Sequence, residues 1–165
     1  VRQKPQGHPE RELRRFEFRL DTPLPPHEAW ARILDLRAHD RLIPFTHITE
    51  GMVPAAELRP GHRFVACTML PGVGFRGRRL GFNDVMTVEE VEPPTSATEG
   101  HARIAKSGKL IHGGVMVSVA PRASGSTVRW VQDFGLARFP AAVGRAAAWI
   151  APRAYRSTLR RLLRG

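Results

Sequence analysis

From residue 62 to residue 136 the sequence keeps a period of two, interrupted only by short turn signals. HRFVACTML (62–70), FNDVMTVEEV (82–91), HARIAKS (101–107), GVMVSVAP (114–121) and STVRWVQDFGL (126–136) each read as a strand with two unlike faces. RPG, the glycine-rich stretch 71–81, PPTS, SGK and RASGS separate them. Strands joined by connections this short pair antiparallel, because a parallel return needs a crossover of roughly a dozen residues or more. The pattern therefore predicts an antiparallel meander.

The flanks complete the architecture. ELRRFEFRLD (12–21) alternates, with Phe16, Phe18 and Leu20 on one face and Arg15, Glu17 and Arg19 on the other. In PHEAWARILDL (26–36), Trp30, Ile33 and Leu34 recur at helical spacing, and Pro26 suits a first helical turn, where its missing N–H costs nothing. Residues 39–43 add a short helical turn before Pro44. The chain closes with FPAAVGRAAAWIAPRAYRSTLRRLLRG (139–165). Val143, Ala147, Ile150, Leu159, Leu162 and Leu163 are read as its apolar stripe, and Pro152 as a kink. A sheet with one polar face must bury the other. The expectation is an α+β fold: a curved antiparallel sheet of six or seven strands wrapped around a long C-terminal helix, with two short helices after the first strand. Residues 1–10 read as a polar flexible segment and 11–165 as a single domain.

The net charge is +11, and all but three of the 26 basic residues are arginine. Positive charge suits acidic lipid, nucleic acid or an anionic ligand. The accompanying richness in Ala, Gly and Pro makes a compositional origin the simpler reading. Cys67 is the only cysteine, so neither an internal disulfide nor a multi-cysteine metal site is available. The polar start does not resemble a signal peptide, and no apolar run reaches membrane-spanning length. These features suggest a cytoplasmic location.

The ordered pieces FEFRLDTPLPPHEAWARILDL, ELRPGHRF, FNDVMTVEEVEPP and STVRWVQDF, followed by the closing helix, resemble the START-like superfamily over about residues 12–164. This is the helix-grip fold of polyketide cyclases, aromatases and lipid-transfer domains. The resemblance implies a hydrophobic ligand cavity under the final helix and no particular ligand or reaction.

Candidate wall residues are Phe64, Thr68, Asp84, Met86, Arg103, Val117, Trp130 and Gln132 from the strands. Phe45, Phe75 on the glycine-rich connection and Ile150 on the helix complete the set. Asp84 and Gln132 share a parity with apolar neighbours, so each either orients the polar end of a ligand or sits wet at a strand end. Asp84 is the one weak candidate for a catalytic acid or base. Arg103 faces either the cavity or solvent.

GVGFRG (72–77) matches G-x-G-x-x-G, but a strand pattern follows where a dinucleotide site needs a helix. Residues 71–81 therefore read as a hairpin connection. As a lid at a cavity mouth, it would use Phe75 as a cap and Arg76, Arg78 and Arg79 to attract an anion. The histidines show no metal-ligand spacing, and His101 and His112 read as strand-face residues in water. No G-x-S-x-G elbow or Ser–His–acid set is recognisable, and Cys67 reads as a packed small residue.

Three functions follow as expectations. The leading one is binding of a small hydrophobic or amphipathic molecule, lipid- or polyketide-like, without a cofactor or metal. The alternative is a cyclase, aromatase or dehydratase using the same cavity. The third is a basic adaptor: the arginines of the last helix are either solvated or dock weakly on acidic membrane. Nucleic acid is not expected, since no reader motif or stacking platform is present.

Overall fold

The computed structural model describes residues 13–43, 46–75, 78–136 and 141–164, with backbone alone for 70–80 and 141–143. The elements run β1 (Arg14–Thr22), α1 (Pro26–Ile33), α2 (Leu36–Leu42), β2 (Thr46–Glu50), a 3-10 turn (Ala55–Glu57), β3 (Arg63–Phe75), β4 (Arg78–Glu92), β5 (Gly100–Ser107), β6 (Ile111–Arg122), β7 (Gly125–Leu136) and α3 (Ala141–Arg164). Seven strands form one curved antiparallel sheet in the order β1-β7-β6-β5-β4-β3-β2. This is the expected helix-grip fold: meander, long closing helix, and two short helices after the first strand.

Alternation decides which face of each strand is buried. On β1, Phe18, Leu20 and Thr22 are buried while Arg15, Glu17, Arg19 and Asp21 are exposed. The exposed face pairs charge across the strands. Arg129 donates from Nε and Nη2 to the two carboxylate oxygens of Glu17, at 2.8 and 3.0 Å. The guanidinium beside it holds Glu17 below the usual carboxylate range. On the inner face, Val88, Ala102, Ile104, Val115, Val117, Val119, Val128 and Trp130 make a continuous core with Phe18 and Leu20.

Helix α1 starts on Pro26 and turns Ala29, Trp30 and Ile33 into that core. Asp35 caps α2, its Oδ1 accepting the amide of Arg37 at 3.0 Å. Helix α3 packs against β1, α1 and α2. Its buried face is made by Thr158, Leu159, Leu162 and Leu163, with Tyr155 half-buried one turn earlier.

Four details differ from the sequence expectation. Edge strand β2 has no counterpart in it. The glycine-rich stretch is not a long connection: β3 runs to Phe75 and β4 starts at Arg78, with Gly74 opposite Arg79 and an irregularity after Met69. Residues 76–77, with Arg76, lie outside the described residues. Ile150 is 54% exposed, not on the buried stripe. It stands nine positions before Leu159, about two and a half turns, and so lies on the opposite side of the helix. His112 is not in water either: its ring lies against Gly135, where a Cβ would fall 2.4 Å from it.

Candidate functional site

A cavity of about 110 Å³ lies between the inner sheet face, α2 and α3. Its wall is mostly apolar: Ile33, Leu36, Leu58, Phe64, Ala66, Met86, Ile104, Val115 and Trp130. This is smaller than the several hundred Å³ of a drug-sized site. It is on the scale of the roughly 150 Å³ apolar cavity that takes a benzene ring.

Register brings charge into this wall. Met86 pairs with Lys106 across β4 and β5, and Ala66 pairs with Asp84 across β3 and β4. Asp84 stands two positions from Met86, so it shares the inner face and reaches Lys106 diagonally. Lys106 Nζ donates to Asp84 Oδ2. It also lies 3.6 Å from Met86 Sδ. Both side chains are almost wholly buried, at 9% and 4% exposure for Asp84 and Lys106. Asp84 Oδ1 is buried with no hydrogen-bond partner.

Burial alone would lower the Lys106 pKa. The electrostatic effect of Tyr155, the charge of Asp84 and the hydrogen bond to Asp84 outweigh it, and the ammonium is held above its ordinary value. Lys106 is therefore a charged donor, not a neutral nucleophile. Tyr155 joins the wall from α3, its ring stacked on Trp130 at 5.6 Å and tilted against Phe16 at 5.9 Å.

The other polar groups of the wall are turned to the protein. His39 Nε2 donates to the Ile33 carbonyl at 2.6 Å, and burial holds the ring below its ordinary pKa, hence neutral. Asp40 Oδ1 accepts the Ile48 amide at 2.6 Å. The hydroxyls of Thr46 and Thr68 lie 3.0 Å apart, bonded to each other. Among the described residues, no group of three metal-ligating side chains gathers anywhere.

The sequence candidates distribute as follows. Phe64, Thr68, Asp84, Met86 and Trp130 line the cavity. Val117 is fully buried in the core behind it. Gln132 is buried, but its Oε1 accepts the Trp130 indole N–H at 3.2 Å, and it lies outside the wall. Arg103 faces solvent and pairs with Glu89 and Glu90, because Ala102, Ile104 and Lys106 take the inner parity of β5. Ile150 is on the exposed side of α3. Phe45 and the Phe75 side chain lie outside the described residues. The sequence reading missed Lys106, His39, Asp40, Thr46 and Tyr155. For Lys106 a signal existed: it shares the parity of Ala102 and Ile104, and an inward lysine calls for an inward acid.

A curved antiparallel sheet that holds a C-terminal helix over a mostly apolar cavity defines a helix-grip protein. The chain belongs to the family described as polyketide cyclase/dehydrase and lipid transport, which matches it over residues 14–164. Solved structures with the same fold include Ara h 8.0201, at 12% identity, TM-score 0.59, and coverage of 93% of this chain and 100% of that one. A Rhodobacter sphaeroides protein matches at 18% identity and TM-score 0.62, covering 92% of this chain and 95% of its own. The Zhui aromatase/cyclase of Streptomyces sp. R1128 matches at 12% and 0.54, with 92% of each chain covered. At such identities the likeness establishes the fold alone. No curated protein matches the chain in sequence.

Proposed function

We propose that the chain binds a small, mainly apolar molecule in the cavity beneath α3, holding its polar end on the Asp84–Lys106 pair. The observation that carries this reading is a buried carboxylate oxygen, Asp84 Oδ1, left without a partner beside an apolar cavity. A buried acceptor without a hydrogen bond costs about 1–3 kcal/mol, more when charged. A guest that donates to it recovers that cost while burying apolar surface at about 25 cal/mol per Å². The single cysteine accords with a cytoplasmic setting.

Native mass spectrometry of freshly purified protein, followed by extraction, tests this. A stoichiometric co-purifying amphipath is expected. Protein that is empty and takes up no small apolar compound contradicts the reading.

The second reading is catalytic, in line with the family description and with the name of the Zhui aromatase/cyclase. It is favoured by a carboxylate, an ammonium and a phenol around one cavity. Asp84 would move the proton while the wall holds the substrate in a productive fold. Turnover that is lost on Asp84→Asn with the fold intact separates it from simple binding. A third reading places α3 on acidic membrane, favoured by the exposure of Trp149 and Ile150 among its arginines.

A further inference from the structure

We infer that the cavity selects a neutral guest bearing a hydroxyl group and discriminates against carboxylates, despite the net charge of +11. This rests on the reading of the cavity as a binding site and adds the chemistry of its guest.

Among the described wall residues, the formally charged groups are Asp40, Asp84 and Lys106, with His39 held neutral. The wall thus carries two carboxylates and one ammonium, and the ammonium is already paired. Among the arginines whose side chains are described, none lines it.

Hydrogen-bonding capacity narrows the guest further. Asp84 Oδ1 accepts and has no donor. The Lys106 ammonium carries three N–H groups. Two of its directions are taken, by Asp84 Oδ2 and the Met86 sulfur. An open acceptor therefore stands beside a donor with one direction to spare. A hydroxyl satisfies both, donating to Oδ1 and accepting from Nζ. A carbonyl can use Lys106 but leaves Oδ1 bare. An ammonium can use Oδ1 but meets the charge of Lys106. A carboxylate leaves Oδ1 bare and adds negative charge beside it.

The cavity volume of about 110 Å³ sets the size of the test compounds at one ring. Toluene, benzyl alcohol and benzoate differ in one substituent, and their binding is read by isothermal titration calorimetry at neutral pH. The wild-type protein is expected to bind benzyl alcohol at least tenfold more tightly than toluene, and benzoate more weakly than either. Asp84→Asn frees Lys106 for an anion and should tighten benzoate at least tenfold. In the double variant D84L/K106M, which replaces the pair by apolar side chains, toluene should overtake benzyl alcohol. If Asp84→Asn unfolds by circular dichroism, the double variant decides.

Benzyl alcohol binding no better than toluene in the wild type, or benzoate binding tightest, overturns the inference and leaves the binding function standing. Failure of all three compounds to bind overturns the binding function, and the inference with it.

Discussion

Breaking the Asp84–Lys106 pair from one side should cost far more than removing it whole. Both side chains are nearly dry, and the carboxylate has no acceptor bond besides the one to Lys106. Lys106→Met leaves that carboxylate buried without a donor. Asp84→Leu leaves the ammonium facing only the Met86 sulfur. Removing one partner of a buried pair costs about 3–5 kcal/mol, whereas replacing both by apolar groups of similar volume is near neutral or stabilising by about 1–4 kcal/mol. The perturbation is therefore a double-mutant cycle on D84L and K106M, followed by urea unfolding at pH 7. With a slope of about 2 kcal/mol per M, each single variant should lose roughly 2 M in midpoint. The double variant should return to the wild-type midpoint or pass it. The coupling, about 6 kcal/mol or more when each single costs about 3 and the double nothing, exceeds the 0–1 kcal/mol of an exposed ion pair. Single variants that each cost under about 1 kcal/mol would refute the buried pair, and with it the polar end of the cavity.

Three further outcomes follow. His39 has its pKa lowered, chiefly by burial, so its contribution to stability is present above pH 6.5 and is lost as pH falls below that value; the stability difference between wild type and His39→Gln, followed by urea unfolding from pH 7.5 to 5, should shrink toward acid, and a flat difference contradicts the assignment. Gly113 has φ +136° and the Asp133 carbonyl oxygen 2.1 Å from where a Cβ would stand, while Gly61 has φ +86° in open space; Gly113→Ala should cost about 3 kcal/mol or more and Gly61→Ala about 1 kcal/mol in the same unfolding assay. On α3, Arg153 lies 4.2 Å over the exposed Trp149 ring, with Arg145, Arg156 and Arg160 also exposed; if this side meets acidic lipid, changing Arg153, Arg156 and Arg160 to Gln should weaken co-sedimentation with phosphatidylserine-containing vesicles by about 1 kcal/mol each, and binding unaffected by salt removes the membrane reading.

The strand meander was legible because one wet face and one dry face impose alternation, and alternation survives without any knowledge of partners. Helix α1 was legible for the matching reason, its apolar residues falling at helical spacing behind Pro26. Strand β2 was not: its positions alternate between half-buried and exposed, but at the sheet edge THITE has one apolar residue, Ile48, so the alternation leaves no hydrophobic pattern. The glycine-rich stretch looked like a loop because glycine and proline weaken strand propensity, yet pairing with β4 carries β3 through it.

The site was legible by half. Asp84 stood out as a polar residue on an apolar face, and Phe64, Thr68, Met86 and Trp130 followed from parity. Lys106 did not, although it shares the parity of Ala102 and Ile104, because HARIAK carries a basic residue on each parity and the reading left open which face is inward. Arg103 is the same ambiguity resolved to solvent. Gln132 shows a different limit: inward parity was right, but the Trp130 indole satisfies its oxygen, and that contact is set by side-chain packing.

The central claim, that the space between sheet and helix receives a small guest at Asp84 and Lys106, is tested most directly by methyl-resolved NMR. Benzyl alcohol is titrated into protein labelled at Met, Ile, Leu and Val methyls. Saturable shifts at Met86, Ile104 and Val115 are predicted, with Val119, outside the cavity wall, and the exposed Met116 and Ile150 unmoved. Shifts confined to exposed methyls, or none at all, would contradict the account.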